Sequence, residues 1–185
     1  MSVELKFGNL IFKSAVDNPE IIPKPVQDLL KEWKGATPVE EILSAEIDPE
    51  FSDSEKFCIK YEIAPNDGAN CLVVRSKRGG EVKYAAVLVP VDKRADINGV
   101  IRRFLGGSDA SFASKEFAVE ESGMEFGSIT VVGLPEDWQI LVDKSLIDIP
   151  YLIIGGGLRK SKLLIPGKAL AELPNATVLE NLTKA

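Results

Sequence analysis

The chain of 185 residues contains no histidine, and this absence restricts its chemistry more than any other feature of its composition. Histidine is the one side chain whose ordinary titration falls near neutral pH. Without it there is no Ser-His or Cys-His nucleophile pair, and the commonest zinc ligand is gone. Any reaction must use a carboxylate, a lysine, backbone N–H groups or a group carried by the substrate. Cysteine is nearly as scarce. Cys58 and Cys71 stand apart with no CxxC spacing, and two buried free thiols are expected rather than a disulfide or a metal site. Neither a metal nor a cofactor is expected.

Long apolar runs are missing too. No stretch approaches the roughly 20 uninterrupted apolar residues of a membrane span, and the opening MSVELKFGNL lacks the basic-then-apolar order of a signal peptide. A cytoplasmic protein with no membrane partner is expected, in which the sequons at Asn175 and Asn181 have no meaning. The net charge of −6 argues against broad non-specific nucleic-acid binding, which depends on neutralising phosphates, but leaves room for local basic patches.

What is present reads as one mixed domain. Hydrophobic residues make up 45% of the chain, enough to bury a single core. KPVQDLLKEWKG predicts a helix with Pro25 in its first turn, Val26, Leu29, Leu30 and Trp33 on one face, and Gly35 as its stop. TPVEEIL predicts a second short helix, with Thr37 and Glu40 as a capping box. A third is expected over about residues 53–60, capped by Ser52 or Asp53. CLVV and EVKYAAVLVPV, separated by RSKRGG, read as a β-hairpin. RADINGVIRRFLGG predicts a helix capped by Asp96 and ended by Gly106, and SKEFAVEESG another between Ser114 and Gly123. From Gly127 the pattern becomes the short apolar runs SITVVG, WQILVD, PYLIIGGG and KLLIP, expected as strands, followed by a helix around GKALAEL. Helices, a hairpin, more helices and then a run of strands fit an α+β domain better than alternating βαβ units.

Nucleotide-binding fingerprints are absent. GGGLRK is followed by a strand-like SKLLIP rather than a helix, and there is no GxxxxGK[ST]. The glycine triplet is either a strand end or bulge needing unusual backbone angles, or a ligand-facing loop.

Four segments in order carry a resemblance: CLVVRSKRGGEVKYAAVLVPVDKRAD, ESGMEFGSITVVGLP, LVDKSL and LIIGGGLRKSKLLI. From about Asn70 to Leu170 the chain resembles the YbaK/EbsC family, the aminoacyl-tRNA deacylases related to a domain of bacterial prolyl-tRNA synthetases. The resemblance implies a single α+β domain with a mixed, mostly antiparallel and partly barrel-like sheet flanked by helices. It divides the chain into a helical extension over residues 1–50 and a deacylase-like domain over 51–185. It also implies hydrolysis of the ester joining a wrong amino acid to tRNA, by a protein acting in trans. Backbone N–H groups and a neighbouring ribose hydroxyl can position and activate water there, so no imidazole is needed.

Site residues follow from the match. Asn70 occupies the position where the family typically has a lysine, at the substrate end of the pocket, and is followed by Cys71. Asn can hydrogen-bond a carbonyl or a ribose hydroxyl but supplies no charge; alternatively it serves only the turn. The loop Gly127, Ser128, Ile129, Thr130, Val131 corresponds to a family loop ending in proline, here Val131. Thr130 is either an ordinary strand residue or, in a retained loop, a pocket hydroxyl. Asp143 either caps a turn with Ser145 or binds the substrate α-amino group. Gly155 and Gly156 would give a small, backbone-lined wall. Asn70, Gly127, Thr130 and Asp143 form the catalytic candidates. Cys71, Ser128, Ile129, Val131, Gly155 and Gly156 form the substrate-binding ones. The basic groups Arg75, Lys77, Arg78 and Arg159, Lys160, Lys162 either contact the tRNA acceptor end or are solvated charges at strand ends. Aminoacyl-tRNA is the expected partner, with an aminoacyl-tRNA synthetase as a further one. The competing expectation keeps the fold and loses the chemistry, giving a binding module for tRNA, an amino acid or a synthetase.

Overall fold

The structure, a computed structural model, describes residues 3–184. The chain opens with a hairpin of β1 (Glu4–Phe7) and β2 (Leu10–Ser14), turned at Gly8, where φ is +53° and a side chain would run into the Tyr61 carbonyl. Helix α1 (Lys24–Lys31) has Pro25 in its first turn and buries Val26 and Leu30. The expected helix over TPVEEIL does not form. Only a 3-10 turn at Val39–Glu41, with no side-chain cap, precedes strand β3 (Leu43–Glu46). Ile42, Leu43 and Ala45 are buried, and pairing β3 between two other strands outweighs the local capping signal.

Helix α2 (Ser54–Tyr61) is capped by Asp53, whose carboxylate accepts the Glu55 N–H at 3.1 Å. Strands β4 (Ala69–Arg78) and β5 (Glu81–Pro90) form the expected hairpin, paired along all of their length. After β6 (Arg94–Ala95), Asp96 caps a wide turn at Ile97–Ile101 that runs into α3 (Arg102–Leu105), ended by Gly106. Strand β7 (Asp109–Phe112) and helix α4 (Lys115–Ser122) follow, the helix running from Ser114 to Gly123 as the sequence indicates. Then come β8 (Gln139–Asp143), β9 (Leu152–Gly155), β10 (Ser161–Ile165), the single turn α5 (Gly167–Leu170), β11 (Ala176–Leu179) and β12 (Thr183–Lys184). SITVVG, expected as a strand, is an irregular buried loop instead. Its backbone packs against the end of β9, where Gly157 N–H donates to Ser128 O at 2.7 Å.

Two five-stranded sheets hold these elements together, in the orders β1-β2-β3-β10-β9 and β11-β8-β5-β4-β7. In the second, β8 runs parallel to β5 and to β11; the other pairings in both sheets are antiparallel. A bridge between Gly68 and Ile153 joins the start of β4 to β9, curling the sheets toward one another. The fold is therefore α+β, mostly antiparallel and partly barrel-like. The first 50 residues are not a helical extension, because they supply three strands of the first sheet. Their apolar side chains need that sheet: Leu10, Phe12, Leu43 and Ala45 pack with Phe57, Ile153 and Leu164 beneath α2. The largest core fills the space between the sheets and includes α1, Met124, Val131 and Trp138. A third lies between the second sheet and α3. No helix among the described residues is long and apolar enough to cross a membrane.

Candidate active site

The junction that bridges β4 to β9 also opens a cavity of about 650 Å³, within the size range of small-molecule sites. The start of β4 supplies Asn70, Cys71 and Leu72, the end of β9 supplies Ile154 and Gly155, and α2 with its cap supplies Asp53, Ser54, Phe57 and Cys58. Gly127 and Ile129 of the irregular loop form another wall, and Lys162 of β10 completes the lining.

Each position has a local cause. Asn70 sits in the second residue of β4, and its Oδ1 accepts a hydrogen bond from Ser54 Oγ at 2.7 Å, tying the strand to the first turn of α2. Its other end, Nδ2, has no hydrogen-bond partner among the described residues. Gly127 adopts φ +85°, open to glycine and strained for other residues. A Cβ on Gly155 would lie 2.8 Å from Ser128 O and 3.0 Å from Ile129 O, so the loop backbone occupies the volume a side chain would need. That contact sets the pocket wall. The Gly127 and Ile129 N–H groups have no acceptor among the described residues, unlike those of Ser128, which donates to Glu125 O, and Thr130, which donates to Met124 Sδ.

Lys162 is the unexpected member. Sequence reading places it with Arg159 and Lys160 in an exposed basic cluster, yet it is only 7% exposed. Its Nζ donates to Ser52 O at 2.9 Å and lies 4.8 Å from the centre of the Phe57 ring. Burial pulls its pKa down to about 8, against the attraction of Cys58 and Asp53. On β10 it stands opposite Gly155 of β9 and Ala45 of β3, two small residues that leave room for its stem. A signal for this was in the sequence: Lys162 shares a strand face with Leu164 in a run whose every residue is buried.

Of the other expected site residues, some are brought together and some are not. Cys71 lines the cavity, with burial pushing its thiol up to about 12. Cys58 is likewise raised by burial, and both cysteines are free. Arg159 reaches the rim, where it donates to Pro49 O at 3.0 Å while its backbone N–H is held by Glu125. Ser128, Thr130, Val131 and Gly156 lie behind the wall rather than in it. Thr130 and Val131 are fully buried, and the Ser128 and Thr130 hydroxyls lack partners. Asp143 caps a turn, accepting from Ser145 N at 2.9 Å and Ser145 Oγ at 2.6 Å, and does not line the cavity. Lys160 does not line the cavity. Arg75, Lys77 and Arg78 lie along the far half of β4. About 3.4 Å per residue puts Arg78 roughly 27 Å from Asn70. Sequence reading missed Asp53, Ser54 and Phe57, as well as an exposed rim of Phe112 and Phe126, with Lys115 Nζ 4.9 Å from the Phe126 ring centre. Among the described residues no group of three His, Cys, Asp or Glu is arranged to hold a metal ion.

The family model described as aminoacyl-tRNA editing domain matches residues 48–173, from just before α2 through α5. The chain belongs to this family. The match takes in the α2 segment, which precedes the motifs that carry the sequence resemblance and forms one side of the cavity. Among solved structures, the editing domain resembles one described as a proposed trans-editing enzyme for prolyl tRNA synthetase, at 20% identity and a TM-score of 0.72, covering 88% of this chain and 96% of that one. It resembles a hypothetical protein equally, at 20% identity and a TM-score of 0.73, covering 87% and 100%. A proposed signal transduction protein from Marinobacter aquaeolei contains a more distant copy of the fold, at 12% identity and a TM-score of 0.57, with 89% of this chain matching 31% of that one. No curated protein matches the chain. At these identities the structural likenesses establish the fold, and the family model establishes the editing domain.

Proposed function

We propose that this editing domain acts in trans as a hydrolase that frees a wrongly attached amino acid from the 3′ end of tRNA. The observation that supports this most is the cavity itself, whose walls are the loop at Gly127 and Ile129, a polar Asn70 and a buried ammonium, in a chain without imidazole. An ester is activated enough that positioning and charge stabilisation can carry the reaction. Water adds to the ester carbonyl carbon, the carbonyl electrons move onto oxygen, and the ribose oxygen departs with a proton that originates from the attacking water. The neighbouring ribose hydroxyl of the substrate holds the water, and the unpaired backbone N–H groups of the loop are suited to the oxygen that gains charge.

The rim fits the nucleic-acid part of such a substrate. Phe112 and Phe126 are 60% and 51% exposed, offering faces on which a terminal base can stack, while Lys115 and Arg159 stand beside them for phosphates. The α-amino group of the aminoacyl moiety is served better by Asp53, in the cavity, than by Asp143, which is engaged outside it.

The test is release of amino acid from a panel of correctly charged and mischarged tRNAs by the purified protein, expected for one or a few mischarged species. A second reading, a binding module without turnover, is favoured by one observation: Asn70 brings no charge and its Oδ1 is already engaged by Ser54. Tight binding of charged tRNA with no release from any member of the panel would select that reading.

A further inference from the structure

A lysine in an apolar strand is stable only if its charge is solvated or paired. Lys162 is neither fully. Its ammonium carries three N–H groups, and among the described residues it makes one hydrogen bond, to the Ser52 carbonyl. No carboxylate among these residues forms a salt bridge with it. The Phe57 ring covers part of it, and the rest belongs to the cavity lining. The chain thus maintains a largely desolvated cation aimed into a pocket, with donors to spare. Such a group binds an oxygen that is negative or becomes so during reaction.

We propose that the Lys162 ammonium holds the carbonyl oxygen of the scissile aminoacyl ester and stabilises the negative charge it acquires when water adds. This rests on the editing reading given above and assigns that site a charged group from β10, on the sheet that contains the N-terminal strands. Lys162 keeps its proton throughout: it donates a hydrogen bond to the oxyanion, which collapses to expel the ribose oxygen. The geometry that aims it is built from small residues, Gly155 and Ala45 on either side of its stem, and from the Ser52 carbonyl and Phe57 ring that fix its tip. A phosphate of the tRNA 3′ end is the other source of an acceptor oxygen for such a cation, and the two are separable by experiment.

The charged and titratable groups that share the cavity are Glu50, Asp53, Lys56, Cys58, Cys71, Lys115 and Arg159. Cys58 and Asp53 favour the charged lysine, and burial opposes it. With the pKa brought to about 8, the charge is present at neutral pH and lost as pH rises through that value. The acceleration due to Lys162 therefore fades above about pH 8.

The experiment compares wild type with Lys162→Met, an apolar isostere of the stem, and with Lys162→Gln, which keeps an N–H donor without the charge. Substrates are the mischarged tRNA released fastest by wild type and the same amino acid esterified to adenosine, which has no phosphate. The expected result is a kcat about 100-fold lower for Met on both substrates, a smaller loss for Gln, KM within about threefold, and a wild-type-to-Met rate ratio that shrinks above about pH 8. Melting temperatures and near-UV circular dichroism show that the variants fold. A kcat unchanged in both variants overturns the assignment, as does a loss confined to KM, or one that disappears on the phosphate-free ester. An active wild type with insensitive variants sinks this inference alone, whereas a wild type silent on every charged tRNA sinks the editing reading and this inference with it.

Discussion

The two ends of strand β4 present lysine and arginine in opposite ways. At the hairpin end, Lys77 and Arg78 are exposed, and their charges meet water. At the cavity end, where β4 meets β9, the nearby cation is Lys162 of the adjoining β10, only 7% exposed and pulled down to a pKa of about 8. A solvated charge interacts weakly and with any anion, screened over roughly 8 to 10 Å at ordinary salt. A desolvated one is costly to maintain and is selective for what it meets. On the proposed function, the hairpin would attract tRNA and the cavity would act on it.

Gly155→Val is expected to have the largest effect, because its side chain would enter space held by the backbone of Ser128 and Ile129. Overpacking of this kind destabilises by about 3 kcal/mol, and displacement of the loop removes the cavity wall. Hydrolysis of the panel's best substrate should fall by more than about 100-fold, with a lowered midpoint in urea. A full-rate Gly155→Val protein would mean that the loop does not shape the site.

Next is a stability effect of Lys162. Its folded pKa is lowered, so the folded protein binds the proton more weakly than the unfolded chain does. The penalty is complete below about pH 8 and is relieved as pH rises toward the unfolded value near 10.5. Relative to Lys162→Met, wild type should gain up to about 3 kcal/mol over that window, at about 1.4 kcal/mol per pH unit. Cys71 acts in the other direction, with its raised pKa contributing stability that is lost above about pH 9 in both proteins, so it cancels from the difference between the two, which reports the lysine together with the Cys58 thiol coupled to it. Denaturant titrations at a series of pH values measure it, and a constant difference would show that Lys162 is not desolvated.

Smaller again is Asn70→Ala, which frees Ser54 and removes a polar group from the cavity. A loss of about tenfold in kcat/KM is expected, with Ser54→Ala losing less. The mildest is Lys77→Gln with Arg78→Gln at the hairpin, roughly 27 Å from Asn70. That pair should weaken tRNA binding about two- to threefold and flatten its salt dependence, with kcat unchanged. A fall in kcat from the hairpin pair, larger than that from Asn70→Ala, would reverse the comparison. Thiol labelling offers one more check: with its pKa near 12, Cys71 has almost no thiolate at pH 8 and should react far more slowly than free cysteine.

Local rules decided a good part of this protein from sequence alone. Pro25 stands in the first turn of α1, Asp53 caps α2, Asp96 caps the turn before α3, and Ser114 and Gly123 bound α4, because each acts on backbone groups within four residues. The long β4–β5 hairpin was equally legible, as were the α+β class and the family, whose motifs keep their order along the chain. The lack of histidine narrowed the chemistry before any fold was known. Tertiary structure decided the rest. TPVEEIL has a helical capping signal yet leads into a strand, because β2 and β10 flank it and bury its apolar residues. SITVVG has the apolar run of a strand yet stays irregular, because its backbone is committed to the end of β9. Lys162 follows Lys160 and Arg159 in sequence and shares nothing of their setting, since pairing from Ser44 to Leu163 and from Ile154 to Leu163 turns its face toward α2. Composition and spacing report what a residue can do. Only pairing between distant strands fixes which residues leave water, and burial is what gives one lysine a pKa and a setting that its exposed neighbours do not share.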